Sequence, residues 1–156
     1  MSATADQGRN VEDEVFGPVD VIVIGYRPDA PMTGDAFPLF LDLVDRGIIR
    51  VLDALVVHKD ADGTYSGFDL ADLDASSAGD LTVFAGATTG LLDDDDVAVA
   101  AAEIAPGTAA VMIVYENRWA APFIAAVRRN GGELIASQRI GVQQLIDALD
   151  AAEAAA

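Results

Sequence analysis

The stretch IVIGYR (residues 22–27) lines up with VMIVYE (residues 111–116), and this internal repeat predicts the fold. Each stretch is rich in β-branched residues and nearly continuous in apolar character, as expected of a strand covered by other elements. Each is followed by a helical pattern and then by a second apolar run, over residues 49–58 in the first half and 133–140 in the second. Two such halves typically form the split βαβ, or ferredoxin-like, fold. We therefore expect an α+β domain in which the strands over residues 19–27 and 108–116 are adjacent, parallel and central, with both helices on one face of the sheet.

The two helical patterns lie near residues 35–46 and 119–130. Pro38 and Pro122 are tolerated only in the first turn of a helix, so each proline indicates where its helix begins. The first helix also carries apolar residues at three- and four-residue spacings, which marks a buried stripe. These features predict one helix between the strands of each half.

Further elements are predicted between and after the two halves. The tight-turn sequence DADG (residues 60–63) predicts a hairpin whose returning strand covers residues 64–70. Four consecutive aspartates, residues 93–96, predict a helix over residues 94–105 that is capped by Asp93 and has acidic residues in its first turn. A metal site is disfavoured there, because four consecutive helical residues point in four directions.

We expect three segments along the chain: a mobile acidic arm (residues 1–16), a single domain (residues 17–150) and a frayed Ala-rich tail (residues 151–156). The domain includes an apolar stretch, residues 81–92, that serves as flexible packing or as an oligomer contact. It ends in a short amphipathic helix whose apolar stripe packs on the open sheet face or on a partner. That stripe consists of Val142, Leu145, Ile146 and Leu149.

The charge balance argues against whole classes of function. Twenty-six acidic residues face nine basic ones, which gives a formal net charge of −17. Such a surface repels phosphate backbones and anionic lipid headgroups, so we expect neither a nucleic-acid partner nor a membrane. The charge serves solubility or reflects a high-salt environment. The chain has no cysteine, and its N-terminus is acidic, unlike a secretory signal. We expect a cytoplasmic protein.

The sequence YENRWAAPF (residues 115–123) lies where a strand ends and a helix begins, a common position for ligand sites in α/β folds. If the two central strands are parallel, their ends bring Tyr26 and Arg27 beside this sequence. The candidate ligand-binding residues are therefore Tyr26, Arg27, Tyr115, Glu116, Asn117, Arg118 and Trp119. In this interpretation two arginines hold a small anionic group, the glutamate orients one of them, and the tryptophan supplies an apolar wall.

A purely structural interpretation of the same residues stays open. Arg27 and Glu116 then form an ordinary ion pair, Asn117 caps the helix, and Trp119 covers the core. The only histidine, His58, lies at a strand end without a nucleophile or an orienting carboxylate pair near it in sequence. No catalytic residue, cofactor or metal ligand is indicated, so an enzyme is the least supported interpretation.

Several short motifs resemble those of a family of small actinobacterial proteins known only as a domain of unknown function. These motifs are GPVD (17–20), GIIRVLD (47–53), KDADG (59–63) and ENRWA (116–120). The segment over residues 91–149, with its acidic helix start and the run GGELI (131–135), is similar to a broader, uncharacterised bacterial group. The resemblance covers roughly residues 17–150 and implies no catalytic residues.

The sequence thus predicts a non-catalytic cytoplasmic domain that self-associates or docks on a partner protein. The open face of a four-stranded sheet is apolar at alternate residues and needs a cover, for which the C-terminal helix, the acidic helix and a second subunit are the three candidates. The alternative is a sensor that binds a small anionic metabolite at the ends of the two central strands.

Overall fold

The computed structural model describes residues 15–30, 35–69 and 89–156. Its strands are β1 (Val19–Gly25), β2 (Arg50–Lys59), β3 (Tyr65–Asp69) and β4 (Ala109–Glu116), and its helices are α1 (Ala36–Asp45), α2 (Asp94–Glu103), α3 (Ala121–Arg129) and α4 (Val142–Ala155). A single 3₁₀ turn, Arg118–Ala120, leads into α3. The described ranges therefore form a mixed α+β fold with one four-stranded sheet and four α-helices. The two helices of the repeat begin within their predicted first turns.

The four strands lie in the order β1-β4-β2-β3, and every neighbouring pair is antiparallel. Strand β4 is therefore the one that pairs with both β1 and β2. Because β1 and β2 are each antiparallel to β4, they point in the same direction. This strand order leaves one edge of β1 without a neighbouring strand in the described part of the chain.

The prediction that β1 and β4 are parallel and both central is wrong. They are adjacent, but antiparallel, and β1 lies at the sheet edge. The apolar pattern that identified both strands reports burial and carries no information about direction. Residues 133–140, the predicted last strand, form neither a helix nor a strand and pair with no described strand, so the ferredoxin-like arrangement is not confirmed.

Helices α1 and α2 cover opposite faces of the sheet. On one face α2 contributes Val97, Ala100 and Ala101 to a buried cluster with Val57, Met112 and Val114 from the central strands. On the other face Phe37 and Phe40 of α1 pack around Ile22, Ala54 and Ile113. Alternate residues of β4 thus enter two separate cores, which explains why its sequence is nearly continuously apolar.

The predicted hairpin is confirmed. Lys59 pairs with Tyr65 across the turn, and Gly63 has the positive φ of 93° that glycine adopts without strain. The hydroxyl of Thr64 donates to Asp62 Oδ1 at 2.7 Å. This hydrogen bond is the main cause that lowers the pKa of the Asp62 carboxyl, and the hydrogen bond from the backbone N–H of Thr64 is the second cause. The turn is therefore held by its own side chains.

Both ends of α2 are capped. Asp93 Oδ1 accepts from the backbone N–H of Asp96 at 3.1 Å, and Asp96 Oδ2 accepts from the backbone N–H of Asp93 at 3.0 Å. At the other end the only lysine, Lys59, donates from Nζ to the carbonyls of Ala101 and Ile104, at 2.9 and 3.1 Å. The predicted Asp93 cap is confirmed, and the helix is shorter than predicted, ending at Glu103.

Two predictions concern residues outside the described ranges. The predicted acidic arm lies outside them over residues 1–14, and the apolar stretch at 81–92 lies outside them over residues 81–88. Helix α4 runs to Ala155, through the tail that we expected to fray. Among the helices of the described ranges, none is long and apolar enough to cross a membrane.

We predict that Asp93→Ala lowers the Tm by roughly 2–5 °C, because the first turn of α2 loses its side-chain acceptor. The pKa of the Asp93 carboxyl is held below its ordinary value, and the largest cause is the hydrogen bond that the carboxylate accepts from the backbone N–H of Asp96. A lowered folded-state pKa means that the cap stabilises the fold fully above about pH 4 and less as the pH falls through that lower value.

Thermal unfolding across this pH range measures the effect. The gap in Tm between the native chain and Asp93→Ala should narrow on acidification. The control, Asp94→Ala, removes the same charge from the same turn without removing the cap, and should shift the Tm less. Equal shifts for the two variants would contradict the capping account.

Candidate functional site

The candidate site lies where β4 ends, around a carboxylate that is completely shielded from solvent. Glu116 is 0% exposed, although it is charged and ends a strand. Its Oε2 accepts a hydrogen bond from the backbone N–H of Gly17 at 2.8 Å. Its Oε1 lies 3.0 Å from Nη2 of Arg50 and 3.7 Å from Nη1 of Arg118. A buried carboxylate is costly unless it is paired, and these three groups provide the pairing.

The strand register brings the partners of Glu116 together. Glu116 is opposite Val19 of β1 on one side and opposite Arg50 of β2 on the other. Gly17 therefore precedes β1 at the point where Glu116 ends β4. Because the pairing is antiparallel on both sides, the start of two strands and the end of the third meet at one edge of the sheet.

Arg50 is held from two sides. Its contact with Oε1 of Glu116 is an ion pair outside hydrogen-bond geometry, since Oε1 has no hydrogen-bond partner in the described part of the chain. The guanidinium carbon of Arg50 lies 5.5 Å from the centroid of the Phe16 ring, within the range of a cation–π contact. Phe16 belongs to the predicted mobile arm, yet it is seated against this arginine.

The segment before β1 is fastened to the turn after β4. The backbone N–H and the side-chain Nδ2 of Asn117 donate to the carbonyl of Pro18, at 2.8 and 2.9 Å, and Nδ2 also donates to Asp20 Oδ2 at 2.8 Å. Gly17 is essential to this approach, because a Cβ there would overlap the carbonyl oxygen of Asn117. Asn117 therefore joins two chain segments and makes no side-chain cap to the following turn.

Trp119 does not cover the core. Its side chain is 65% exposed, and its Nε1 donates to Asn117 Oδ1 at 3.3 Å. Its backbone N–H donates to the carbonyl of Ile48 at 3.2 Å, which ties the turn to the chain before β2. The indole is thus an exposed apolar wall beside Arg118, whose side chain is 42% exposed.

The structure does not bring Tyr26 and Arg27 to this site. Gly25 pairs with Ala110, at the start of β4, so these residues follow β1 at the far end of the strand, roughly 20 Å away. Arg27 instead forms an exposed pair with Asp29 at 3.5 Å. The expected juxtaposition of Arg27 with Glu116 is wrong, because it depended on a parallel β1–β4 pair.

Arg50 takes the place that we expected for Arg27, and the sequence analysis missed it. Arg50 is the first residue of β2 and is followed by the apolar pair Val51 and Leu52, a position that signals a charge needed at the strand end. Finding its partner requires the β2–β4 register, which the sequence does not reveal. Of the seven candidate residues, the structure gathers Glu116, Asn117, Arg118 and Trp119 at one place.

Tyr115 belongs to a separate contact on the opposite sheet face. Its hydroxyl accepts from Nη2 of Arg139 at 3.3 Å, and Arg139 Nη2 also lies 3.1 Å from Asp20 Oδ2. The Tyr115 hydroxyl, followed by the charge of Asp20, raises the pKa of the Arg139 guanidinium. This contact attaches the chain after α3 to the start of β1.

Two further polar groups have structural partners. Asp53 is buried, and its carboxylate accepts from the backbone N–H groups of Ala54 and Leu92, at 3.0 and 2.9 Å, which fixes the approach to α2. His58 is half exposed, with Nδ1 3.2 Å from Asp60 Oδ1. Within the described ranges, no three histidine or acidic side chains are grouped as metal ligands would be.

The arrangement at the end of β4 is suited to holding charge. Two half-exposed guanidinium groups face one buried carboxylate, so the cluster carries a local excess of positive charge on a strongly acidic protein. An anion would meet Arg118 and the exposed Trp119 at the surface, while Glu116 keeps Arg50 in place.

The family comparison identifies the relationship of this chain to known proteins. The chain belongs to a family of unknown function, DUF6325, whose model matches residues 15–155. This finding confirms the resemblance to a domain of unknown function that the short motifs indicated. Neither the curated proteins nor the solved structures contain a significant match.

We predict that Glu116→Gln lowers the free energy of unfolding by about 2 kcal/mol, because Arg50 and Arg118 lose a buried anionic partner. The value is below the roughly 3–5 kcal/mol typical of broken buried pairs, since both arginines keep access to water. Urea unfolding measures the change.

The matched control is Asp29→Asn, which removes a carboxylate from the exposed pair with Arg27. It should change the free energy of unfolding by less than about 0.5 kcal/mol. A Glu116→Gln variant as stable as this control would show that the buried cluster does not hold the fold together.

Proposed function

We propose that this protein is a non-catalytic domain that self-associates through the C-terminal arm, defined here as residues 133–155, and the uncovered face and edge of β1. The observation that supports this most strongly is the exposure of the arm. Every residue from 130 to 156 is exposed, including the whole apolar stripe of α4. An exposed apolar surface of this kind is typical of a protein–protein contact.

Helix α4 needs a surface to pack on. It is 14 residues long and buries none of its side chains, although it is amphipathic. Isolated helices of this length are marginal in water and are normally stabilised by packing of their apolar face. A partner that covers Val142, Leu145, Ile146 and Leu149 would supply that packing.

Strand β1 offers a complementary surface. Val19, Val21 and Val23 share one face of the strand and are each about half exposed, at 49–53%. Val21 and Val23, together with Val99 of α2, border an open apolar groove of about 380 Å³. The outer edge of β1 is unpaired in the described chain, and such edges readily accept another strand.

The same proposal extends to the ferredoxin-like arrangement of the sheet. If residues 133–140 pair with the free edge of β1, the sheet gains the fourth repeat strand of the ferredoxin-like arrangement. The internal repeat supports this, because residues 133–140 correspond to β2 in the first half. The tie from Arg139 to Asp20 and Tyr115 already holds this segment beside β1.

We predict that Leu145→Glu with Leu149→Glu weakens self-association by about 100-fold or more, because two apolar side chains of the interface become charged. Sedimentation over a range of protein concentrations measures the dissociation constant. The control pair, Gln144→Glu with Ala151→Glu, adds the same charge to the opposite face of α4 and should leave association nearly unchanged. Equal weakening by both pairs would indicate general charge repulsion and would contradict the assignment of this stripe.

A second candidate function is binding of a small anionic metabolite at Arg118. The observation that favours it is the half-exposed Arg118 beside the exposed Trp119, with Arg50 behind them on Glu116. The rest of the surface is strongly acidic, so an anion would be attracted to few places on it.

For this candidate we predict that inorganic phosphate raises the Tm by a few degrees, and that Arg118→Ala removes the rise. Sodium chloride at equal ionic strength separates binding from screening. Arg27→Ala, which deletes an arginine at the other end of β1, should keep the response. A response that survives Arg118→Ala would exclude this site.

A further inference from the structure

We propose that the strand completing the sheet is supplied by a second copy of the chain, so that two copies exchange their C-terminal arms reciprocally. This inference rests on the proposed self-association and specifies its form. The partner is identical, and the contact is residues 133–140 of one copy on the β1 edge of the other. Each copy then both gives and receives an arm.

The contact between Arg139 and Asp20 sets the register of the added strand. The guanidinium lies 3.1 Å from Asp20 Oδ2, so residue 139 is already positioned at the start of β1. An antiparallel pairing that places Arg139 opposite Asp20 also places Ile135 opposite Ile24 and Ile140 opposite Val19. The pairing therefore matches opposite charges at Arg139 and β-branched side chains at both Ile135 and Ile140.

The side chains matched in this way are now exposed. Ile135 is 88% and Ile140 is 56% exposed, while Ile24 and Val19 of β1 are 40% and 49% exposed. Cross-strand pairs of β-branched residues stabilise sheets. Pairing would cover apolar surface on both segments and satisfy the unpaired backbone edge of β1 at the same time.

The chain before the arm permits exchange. Gly131 has a φ of 82°, and α3 is followed by the Gly131-Gly132 pair, so the arm is joined to the body by residues of high conformational freedom. Apart from the tie through Arg139, the arm is exposed throughout. A change of direction at this hinge would carry the same contacts to a neighbouring copy, which is how identical elements are exchanged at low cost.

Reciprocal exchange also explains why assembly would stop at a dimer. If each copy gives one arm and receives one, the two interfaces are identical and a symmetric dimer leaves no β1 edge free. The apolar stripe of α4 would follow the strand onto the partner, next to the groove bordered by Val21, Val23 and Val99. One-way addition would instead leave a free edge and continue into a chain of copies.

Charge reversal at the tie tests the proposal. Asp20→Arg alone and Arg139→Glu alone should each weaken dimerisation by about tenfold or more, because like charges then face each other. When the two variants are mixed, one interface of the exchanged dimer keeps the native pair of Arg139 with Asp20 and the other interface carries both reversals. Opposite charges therefore face each other at both interfaces. A one-to-one heterodimer should therefore form in preference to either homodimer, measured by native mass spectrometry and sedimentation.

The double variant, Asp20→Arg with Arg139→Glu in one chain, should dimerise as the native chain does, which shows that the loss of the Asn117 bond to Asp20 is tolerated. If that chain dimerises but the mixture of single variants does not, exchange is overturned while self-association stands. Single variants that dimerise normally would also overturn it, and a native chain that stays monomeric overturns both proposals.

Cysteine pairing gives a second route if Asp20→Arg does not fold. The native chain has no cysteine, so Ile24→Cys and Ile135→Cys in separate chains can form a disulfide only with each other or with a like chain. Opposed residues of an antiparallel pair lie within disulfide reach. A disulfide-linked heterodimer of the two variants is expected. With both cysteines in one chain, a disulfide formed only within that chain would overturn exchange.

Discussion

The antiparallel pairing of β4 with the strands on both of its sides is the constraint on which the rest of the structure depends. It sends alternate residues of β4 into two cores, one under α2 and one under α1. It also brings Gly17 and Arg50 to the carboxylate of Glu116, where a buried charge needs them. The same pairing places Arg27 at the end of the sheet far from Glu116. The ligand site that we expected from a parallel pair of these strands therefore does not form with Arg27.

Glu116 illustrates how an energetically costly group specifies a structure. A buried carboxylate is poor evidence for stability in itself, because desolvation offsets much of the attraction to its partners. Its partners nevertheless come from three separate places: the chain before β1, the start of β2 and the turn after β4. Another register would take Gly17 and Arg50 away from the carboxylate and leave it only Arg118, so the cluster favours this arrangement over its competitors.

The sequence was sufficient for elements whose signals are local. The Asp93 cap, the hairpin after Lys59 and the prolines at helix starts all act within a few residues, and each was predicted. The direction of β1 relative to β4 and the Arg50–Glu116 pair depend on strands distant in sequence, which periodicity does not resolve. The same limit applies to residues 133–140, whose strand pattern is clear although no described strand pairs with them.

The central strands of the sheet are buried, whereas the side that carries β1 is exposed. The centre is covered on both faces, whereas β1 and the C-terminal arm keep apolar residues in water. At a net charge of −17 two copies repel each other at long range, so the proposed association depends on short-range apolar contact and should strengthen as salt screens the repulsion. The most direct measurement is the solution mass of the full chain by light scattering at several protein concentrations. The account predicts a concentration-dependent rise to twice the chain mass of 16.2 kDa, and a mass that stays at 16.2 kDa at every concentration would contradict it.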